Sequence, residues 1–229
     1  MLNSLHNNLQ KHKGDYRDIR WEKREVTRIS YIKNELKTIG TSTMTGGSIR
    51  VVDKGGMASS VFSRIEDIRS SLDWSYNAAV SMVKNNAKSI KWLEAPIHED
   101  NVTVNPKKDP RNISLSEKKA LVDAYNDIIL SHPKIQSSQV AYRENNIKKY
   151  FVNSEGTKIK QENLIVRLSC RFTAKKNGLT QDLGITFGGA PDYSRLLNRE
   201  KDLKNKLEIA VALLDAQPVK AGLYHAILD

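Results

Sequence analysis

From Arg17 to Tyr31 the chain alternates by twos, with Arg17, Ile19 and Trp21 set against Asp18, Arg20 and Glu22, then Thr27, Ile29 and Tyr31 against Arg28 and Ser30. That period is the signature of strands with one buried face. A third strand is predicted at Leu36 to Ser42 after an Asn34-Glu35 turn. A fourth, Ser48 to Val52, leads through Asp53-Lys54-Gly55-Gly56 into Met57-Ala58, where glycines supply the positive φ angles of a tight hairpin. These segments form an antiparallel meander. From Ser63 the period lengthens: Ile65, Ile68, Leu72, Tyr76, Ala79 and Val83 recur every three or four residues and make one apolar helical stripe.

Glu94 to Asn112 carries Pro96, Pro106 and Pro110 among charges and asparagines and reads as a loop. Ser114-Leu-Ser-Glu117 has the spacing of a capping box, and Leu121, Ala124, Tyr125 and Ile128 continue as a second amphipathic helix that ends at His132-Pro133. Four more strands follow, at Gln139 to Arg143, Lys148 to Asn153, Asn163 to Thr173 and Leu179 to Phe187, with turns at Glu155-Gly156 and Asn177-Gly178. Leu164, Val166, Leu168, Cys170 and Phe172 share one face of the third of these, which is the clearest core strand. Beyond Gly188-Gly189-Ala-Pro191, the residues Leu196, Leu203, Leu207, Ala210, Val211 and Leu214 give a third helix. The order of elements predicts an α+β fold, antiparallel sheet meanders packed against three amphipathic helices.

Met1 to Lys13 reads as polar throughout, and no apolar run is long enough for a secretory signal or a membrane span. A single cysteine, Cys170, excludes an internal disulfide framework and fits a reducing compartment, so a cytoplasmic location is expected. The net charge of +11 favours acidic partners. The basic residues alternate with acids, as in Asp15 to Glu25, which is the pattern of a solvated sheet face more than of a nucleic-acid site.

No stretch of the chain carries a complete catalytic or metal-binding motif. His6, His12, His98, His132 and His225 show no metal-ligand spacing, and His98-Glu99 lacks a second histidine where a zinc helix needs one. Cys170 alternates with apolar residues and reads as a buried structural thiol. Gly46-Gly47-Ser48 lacks the lysine and the strand-to-helix placement of a phosphate loop, and reads as turn glycine. No catalytic or metal-binding residue is assigned within the chain.

Three segments nevertheless resemble one family. Asp15-Tyr-Arg-Asp-Ile-Arg-Trp-Glu22 is similar to its opening strand. Thr45-Gly-Gly-Ser-Ile-Arg-Val-Val-Asp-Lys-Gly-Gly-Met-Ala-Ser59, with a long helix after it, is similar to its glycine hairpin. Pro218-Val-Lys-Ala-Gly222 into His225-Ala-Ile-Leu-Asp229 resembles the linker strand that follows the last helix of its N-terminal domain. The family is the TldD/PmbA group of metalloproteases, also labelled modulators of DNA gyrase, and the chain is closer to the TldD type. The resemblance implies an N-terminal α+β domain over residues 1–217 and a linker strand over 218–229 leading to a catalytic domain beyond Asp229. It also implies a dimer with a TldD/PmbA-type subunit and peptide substrates. Zinc is expected on an H-E-x-x-x-H helix of that further domain, where two histidines hold the metal and the glutamate activates water. None of those ligands falls on this chain. Arg50, Gly55, Gly56 and Gly222 match the family pattern as structural residues. The alternatives are a nucleic-acid-binding or gyrase-modulating module, motivated by the charge, and a pure assembly domain. An exposed sheet edge is the expected contact for an extended peptide.

Overall fold

The computed structural model describes residues 1–83, 95–217 and 220–227. Eleven regular elements follow in order: α1 (Leu2–Gln10), β1 (Tyr16–Ile32), β2 (Glu35–Asp53), β3 (Gly56–Phe62), α2 (Ile68–Ser81), β4 (Glu99–Val102), α3 (Leu115–Leu130), β5 (Ile135–Asn153), β6 (Lys158–Lys176), β7 (Leu179–Ala190) and α4 (Glu200–Leu213). The strands join in one seven-stranded sheet of order β3-β2-β1-β5-β6-β4, with β7 also on β6. All neighbours are antiparallel except β4 on β6. The two expected meanders are therefore halves of one sheet, welded by β1 on β5.

Side-chain parity assigns the faces. On β1, Ile19, Trp21 and Ile29 are buried while Arg20 and Arg28 are exposed. The register carries this alternation across the sheet, so that Ile19 lies between Ile49 and Val152, and Ile29 lies beside Tyr142. All four helices cover this one face, in two separate layers. One apolar cluster joins Leu5 and Leu9 of α1 and Ile68 and Leu72 of α2 to Ile19, Ile49 and Phe62. The other joins α3 and α4 to Ile29, Tyr142, Leu168 and Phe172. The opposite face of the sheet carries no helix among the described residues.

Helix α1 corrects the polar reading of Met1 to Lys13, and raises the helices from three to four. Leu5 and Leu9, one turn apart, are both fully buried, and burying each contributes about 1.5–3 kcal/mol. Strand lengths also differ: the segments predicted around Arg17 and Thr27 are one strand, as are those around Leu36 and Ser48 and those around Gln139 and Lys148. The Glu94 to Asn112 loop contains the short strand β4 and a single 3-10 turn at Pro110–Asn112, while residues 84–94 lie outside the described residues. Residues 220–227 are exposed and in no strand, and Pro218, Val219, Leu228 and Asp229 of the linker strand expected over 218–229 lie outside the described residues.

Local signals hold where the chemistry is local. Ser114 Oγ accepts the Glu117 N–H at 3.1 Å, and Glu117 Oε2 accepts the Ser114 N–H at 3.1 Å, completing the capping box of α3. Asn177 and Gly178 take φ of 49° and 85°, the paired left-handed residues of a tight hairpin. At the β2–β3 hairpin these roles fall to Lys54 and Gly55, with φ of 48° and 90°. Gly56 has another reason: a Cβ there would run into the Ala79 carbonyl of α2. Gly46 and Gly47 are not in a turn. They lie within β2, where a Cβ on Gly47 would stand 2.5 Å from the Phe62 ring.

Gly56→Ala is therefore expected to lower stability by about 1–3 kcal/mol through overpacking of α2 on β3. Urea unfolding measures the loss, and hydrogen exchange should place the added opening in α2 and β3, with α3 and α4 still protected.

Candidate functional site

Between the two helical layers the covered face turns polar. Lys23, Glu25 and Thr27 of β1 face Lys148, Asn146 and Glu144 of β5 in register, and the N-terminal turn of α3 overhangs them. A cavity of about 250 Å³ lies here, with Glu25, Arg111, Lys118, Glu144 and Asn146 in its wall. Lys118 Nζ reaches Glu144 Oε2 at 2.6 Å, and both side chains are more than nine-tenths buried. The Tyr142 hydroxyl donates to the same oxygen at 2.6 Å, and burial together with this carboxylate pushes its pKa up. Asn146 Nδ2 donates to Glu25 Oε2 at 3.2 Å. Arg111 forks onto Asp109, holding that carboxyl below its ordinary pKa, and touches Glu162 at 3.4 Å. Every charge here has a partner of opposite sign, and no nucleophile sits beside a base. The cluster fastens α3 to the sheet.

The four family-pattern residues are not gathered into a site. Arg50 pairs across β1 with Asp18, which is 1% exposed, through Nε at 2.7 Å and a terminal nitrogen at 2.5 Å, and its guanidinium lies 5.5 Å from the centre of the Tyr16 ring. Gly55 and Gly56 form the adjacent hairpin and seat α2. Gly222 lies apart in the exposed segment, beside the Tyr224 ring, whose hydroxyl donates to the Lys220 carbonyl at 2.6 Å.

The metal-capable residues are dispersed as well. His12 pairs with Asp73 at 3.1 Å, and His132 lies 3.7 Å from Glu208. Glu99 pairs with Lys158 at 3.0 Å within the β4–β6 contact, on a strand and not on a zinc helix. Among the described residues no three His, Cys, Asp or Glu side chains converge as metal ligands, so the residues present do not fit a zinc ion. Cys170 is fully buried, and burial pushes its thiol up to about 12.

Two features outside the polar cluster offer contact to a ligand. β3 covers β2 only from Gly47 onward, so residues 35–46 of β2 have no strand on their outer side among the described residues. This edge is exposed, rich in Thr and Ser, and carries only Glu35 and Lys37 as charges. At its end, Gly46 lines a groove of about 590 Å³ on the helix-free face, together with Arg20, Glu22, Ser48, Phe151 and Gln161. The sequence signals an exposed edge in general terms. Which strand it is follows only from the long-range pairing of β1 with β5, which leaves β2 outside.

The fold so described recurs in solved structures. The chain superposes with a TM-score of 0.75 on a Bacteroides thetaiotaomicron protein described as a candidate modulator of DNA gyrase, at 14% identity over 96% of this chain and 51% of that one. It superposes with 0.65 on TldE from Thermococcus kodakarensis, at 15% identity over 93% of this chain and 47% of that one. At such identities the likeness speaks for the fold alone.

Sequence comparison carries it further. Residues 18–83 match the model for PmbA/TldA metallopeptidase domain 1, and residues 108–216 match that for the PmbA/TldA metallopeptidase central domain. The chain belongs to the TldD/PmbA metallopeptidase family. Metalloproteases of Synechocystis and of Methanocaldococcus jannaschii are each 29% identical over 94% of it. The chain spans about half the length of these curated relatives, 46% and 48% respectively.

Lys118→Met is expected to cost about 3–5 kcal/mol, because it strands the Glu144 carboxylate in a buried site. Adding Glu144→Gln should restore part of the loss in urea unfolding, since it removes the unpaired charge and keeps an acceptor for Tyr142. Cys170 should resist a thiol reagent at pH 8 in the native protein and react at once in urea, a difference read from absorbance during labelling.

Proposed function

We propose that this chain is the N-terminal half of a TldD-type zinc metallopeptidase that cleaves peptides or small unfolded proteins in peptide maturation and degradation. The observation that carries this reading is the ordered match of two consecutive family domains, over 18–83 and 108–216, in a chain that aligns with about half of two metalloproteases. Zinc and the catalytic base belong to an H-E-x-x-x-H helix in the other half. The present half assembles the dimer with a TldD/PmbA-type subunit, in the cytoplasm, and forms part of the substrate cavity. No described helix is long and apolar enough to cross a membrane.

Within this role, residues 35–46 of β2 hold the substrate by its backbone. An extended peptide laid along that edge completes the ladder with main-chain hydrogen bonds, which do not depend on side-chain identity. The neighbouring groove receives side chains that project from it. An unfolded chain can present such a strand, and a folded protein cannot.

The 229-residue chain should hold no stoichiometric zinc by elemental analysis and cleave no unfolded casein, yet should bind a labelled unfolded peptide. Consecutive residues point their N–H groups to opposite edges of a strand. Of Ser42→Pro and Thr43→Pro, one therefore blocks the outer ladder and the other the ladder to β1. One variant should lose binding with its fold intact, while the other should lose stability. Stoichiometric zinc or cleavage by the chain alone defeats the half-enzyme reading. Unchanged peptide binding in the folded proline variant defeats the edge.

A further inference from the structure

The helix-free face of the sheet contains a row that ordinary strand pairing disfavours. Arg28 of β1 lies directly opposite Arg143 of β5, and Arg143 lies directly opposite Arg167 of β6. Three guanidinium side chains thus stand abreast on adjacent strands, all exposed. Like charges in directly opposed positions cost stability. No carboxylate relieves them: among the described residues none lies within 4.0 Å of any of the three. Arg143 has only the Asn145 amide oxygen, at 3.3 Å. The acids that β1 and β7 place on this face lie in other rows and are engaged, Asp18 with Arg50, Glu22 with Arg24, and Asp182 with Thr173.

The surroundings leave the row open. Gly40 flanks it on β2 and Gly188 on β7. The next row along the strands is Ser30, Ala141 and Ser169, all small. Nothing overhangs the guanidinium groups, and Arg171 stands one further row along the same face.

We infer that the Arg28–Arg143–Arg167 row is a docking site for an acidic polypeptide segment with carboxylates at alternate positions. Strands are spaced by about 4.8 Å, so the outer two strands of the row lie about 10 Å apart. Alternate side chains of an extended segment recur every ~6.6 Å, so two or three carboxylates meet the row within the reach of arginine side chains. Guanidinium forks bind planar carboxylates through two parallel hydrogen bonds, which an ammonium cannot match. Single-stranded nucleic acid fits less well, because its binding sites interleave base-stacking aromatics with the charges. The aromatics that β1, β5 and β6 place on this face are Phe151, four rows away with the Arg20 guanidinium over it at 5.3 Å, and Tyr16, at the far start of β1 beside Arg50. This site lies one strand in from the free edge of β2, uses side chains of the open face in place of edge backbone groups, and requires no catalytic half.

The test uses the 229-residue chain and fluorescence anisotropy with three labelled probes: an alternating Glu-Thr peptide, its Gln-Thr counterpart and an oligothymidylate. The Glu-Thr peptide should bind, and weaken as salt rises. The Gln-Thr peptide should bind at least about tenfold more weakly, as should the Glu-Thr peptide to Arg143→Gln. The triple change of Arg28, Arg143 and Arg167 to Lys keeps the charge and loses the forks, and should also weaken binding. Because Arg143 is exposed and flanked by like charges, Arg143→Gln should melt at or above the wild-type temperature in low salt. Equal affinity for the Glu and Gln peptides, tighter binding of the oligothymidylate, or undiminished binding by Arg143→Gln would each overturn the inference. So would a marked drop in melting temperature of that variant, which would make the row a part of the fold's own stability.

Discussion

The antiparallel ladder between β1 and β5, running from Asp18 on Asn153 to Ile32 on Gln139, is the constraint on which the rest depends. It joins two units that each have their own helical layer and apolar cluster. Its register is held at both ends, by Ile19 beside Val152 under α1 and α2, and by Ile29 beside Tyr142 under α3 and α4. A slip of one residue would turn both apolar ends outward and bury Arg20 and Arg28 beneath the helices. The burial of Ile19, Trp21, Ile29, Tyr142 and Val152 on that face opposes such a slip. The lateral neighbours of β1 and β5 on both faces follow from this one alignment.

The same geometry explains what the sequence revealed. Turns and caps were legible because their causes are local: Asn177-Gly178 adopts its paired left-handed angles, and Ser114 with Glu117 closes its box. The core strand of β6 was legible because helices cover the face bearing Val166 to Phe172. The long strands were not. β1, β2 and β5 each read as two short segments, and the interruptions fall together at the polar waist, where Lys23 faces Thr45 on one side and Lys148 on the other. There the gap between helical layers removes the apolar half of the alternation, so period two disappears although the strand continues. Helix α1 was missed for a related reason: three leucines in a polar stretch, Leu2, Leu5 and Leu9, make too narrow a stripe to stand out until the sheet supplies its partner.

No catalytic site was legible in the sequence. The polar residues that the fold does gather, Lys118, Glu144 and Tyr142, solve a packing problem at the waist. An apolar cluster there would merge the two cores. The buried pair holds α3 over β5 at one lateral position, because Lys118 reaches a carboxylate only where Glu144 stands, and Tyr142 shares the same oxygen. Directional bonds of this kind fix position more than they add stability, since desolvating both charges offsets most of their attraction. Arg50 and Asp18 act likewise at the β1–β2 pairing, on the opposite face.

The two faces of the sheet therefore answer to different demands. Packing dictates the covered face, and through the ladder register it also dictates which residues meet on the open one. Arg28, Arg143 and Arg167 cannot escape one another by sliding, because the slide would invert the buried face. Their mutual repulsion, on the order of 0.2–1 kcal/mol for each opposed pair, is small beside the apolar burial that enforces it. A fold can carry such a row indefinitely without being undone by it. The formal charge of +11 then has a location as well as a magnitude: where acids alternate with bases along β1 the charge is internally balanced, and where three strands present arginine in register it is left for a partner to balance.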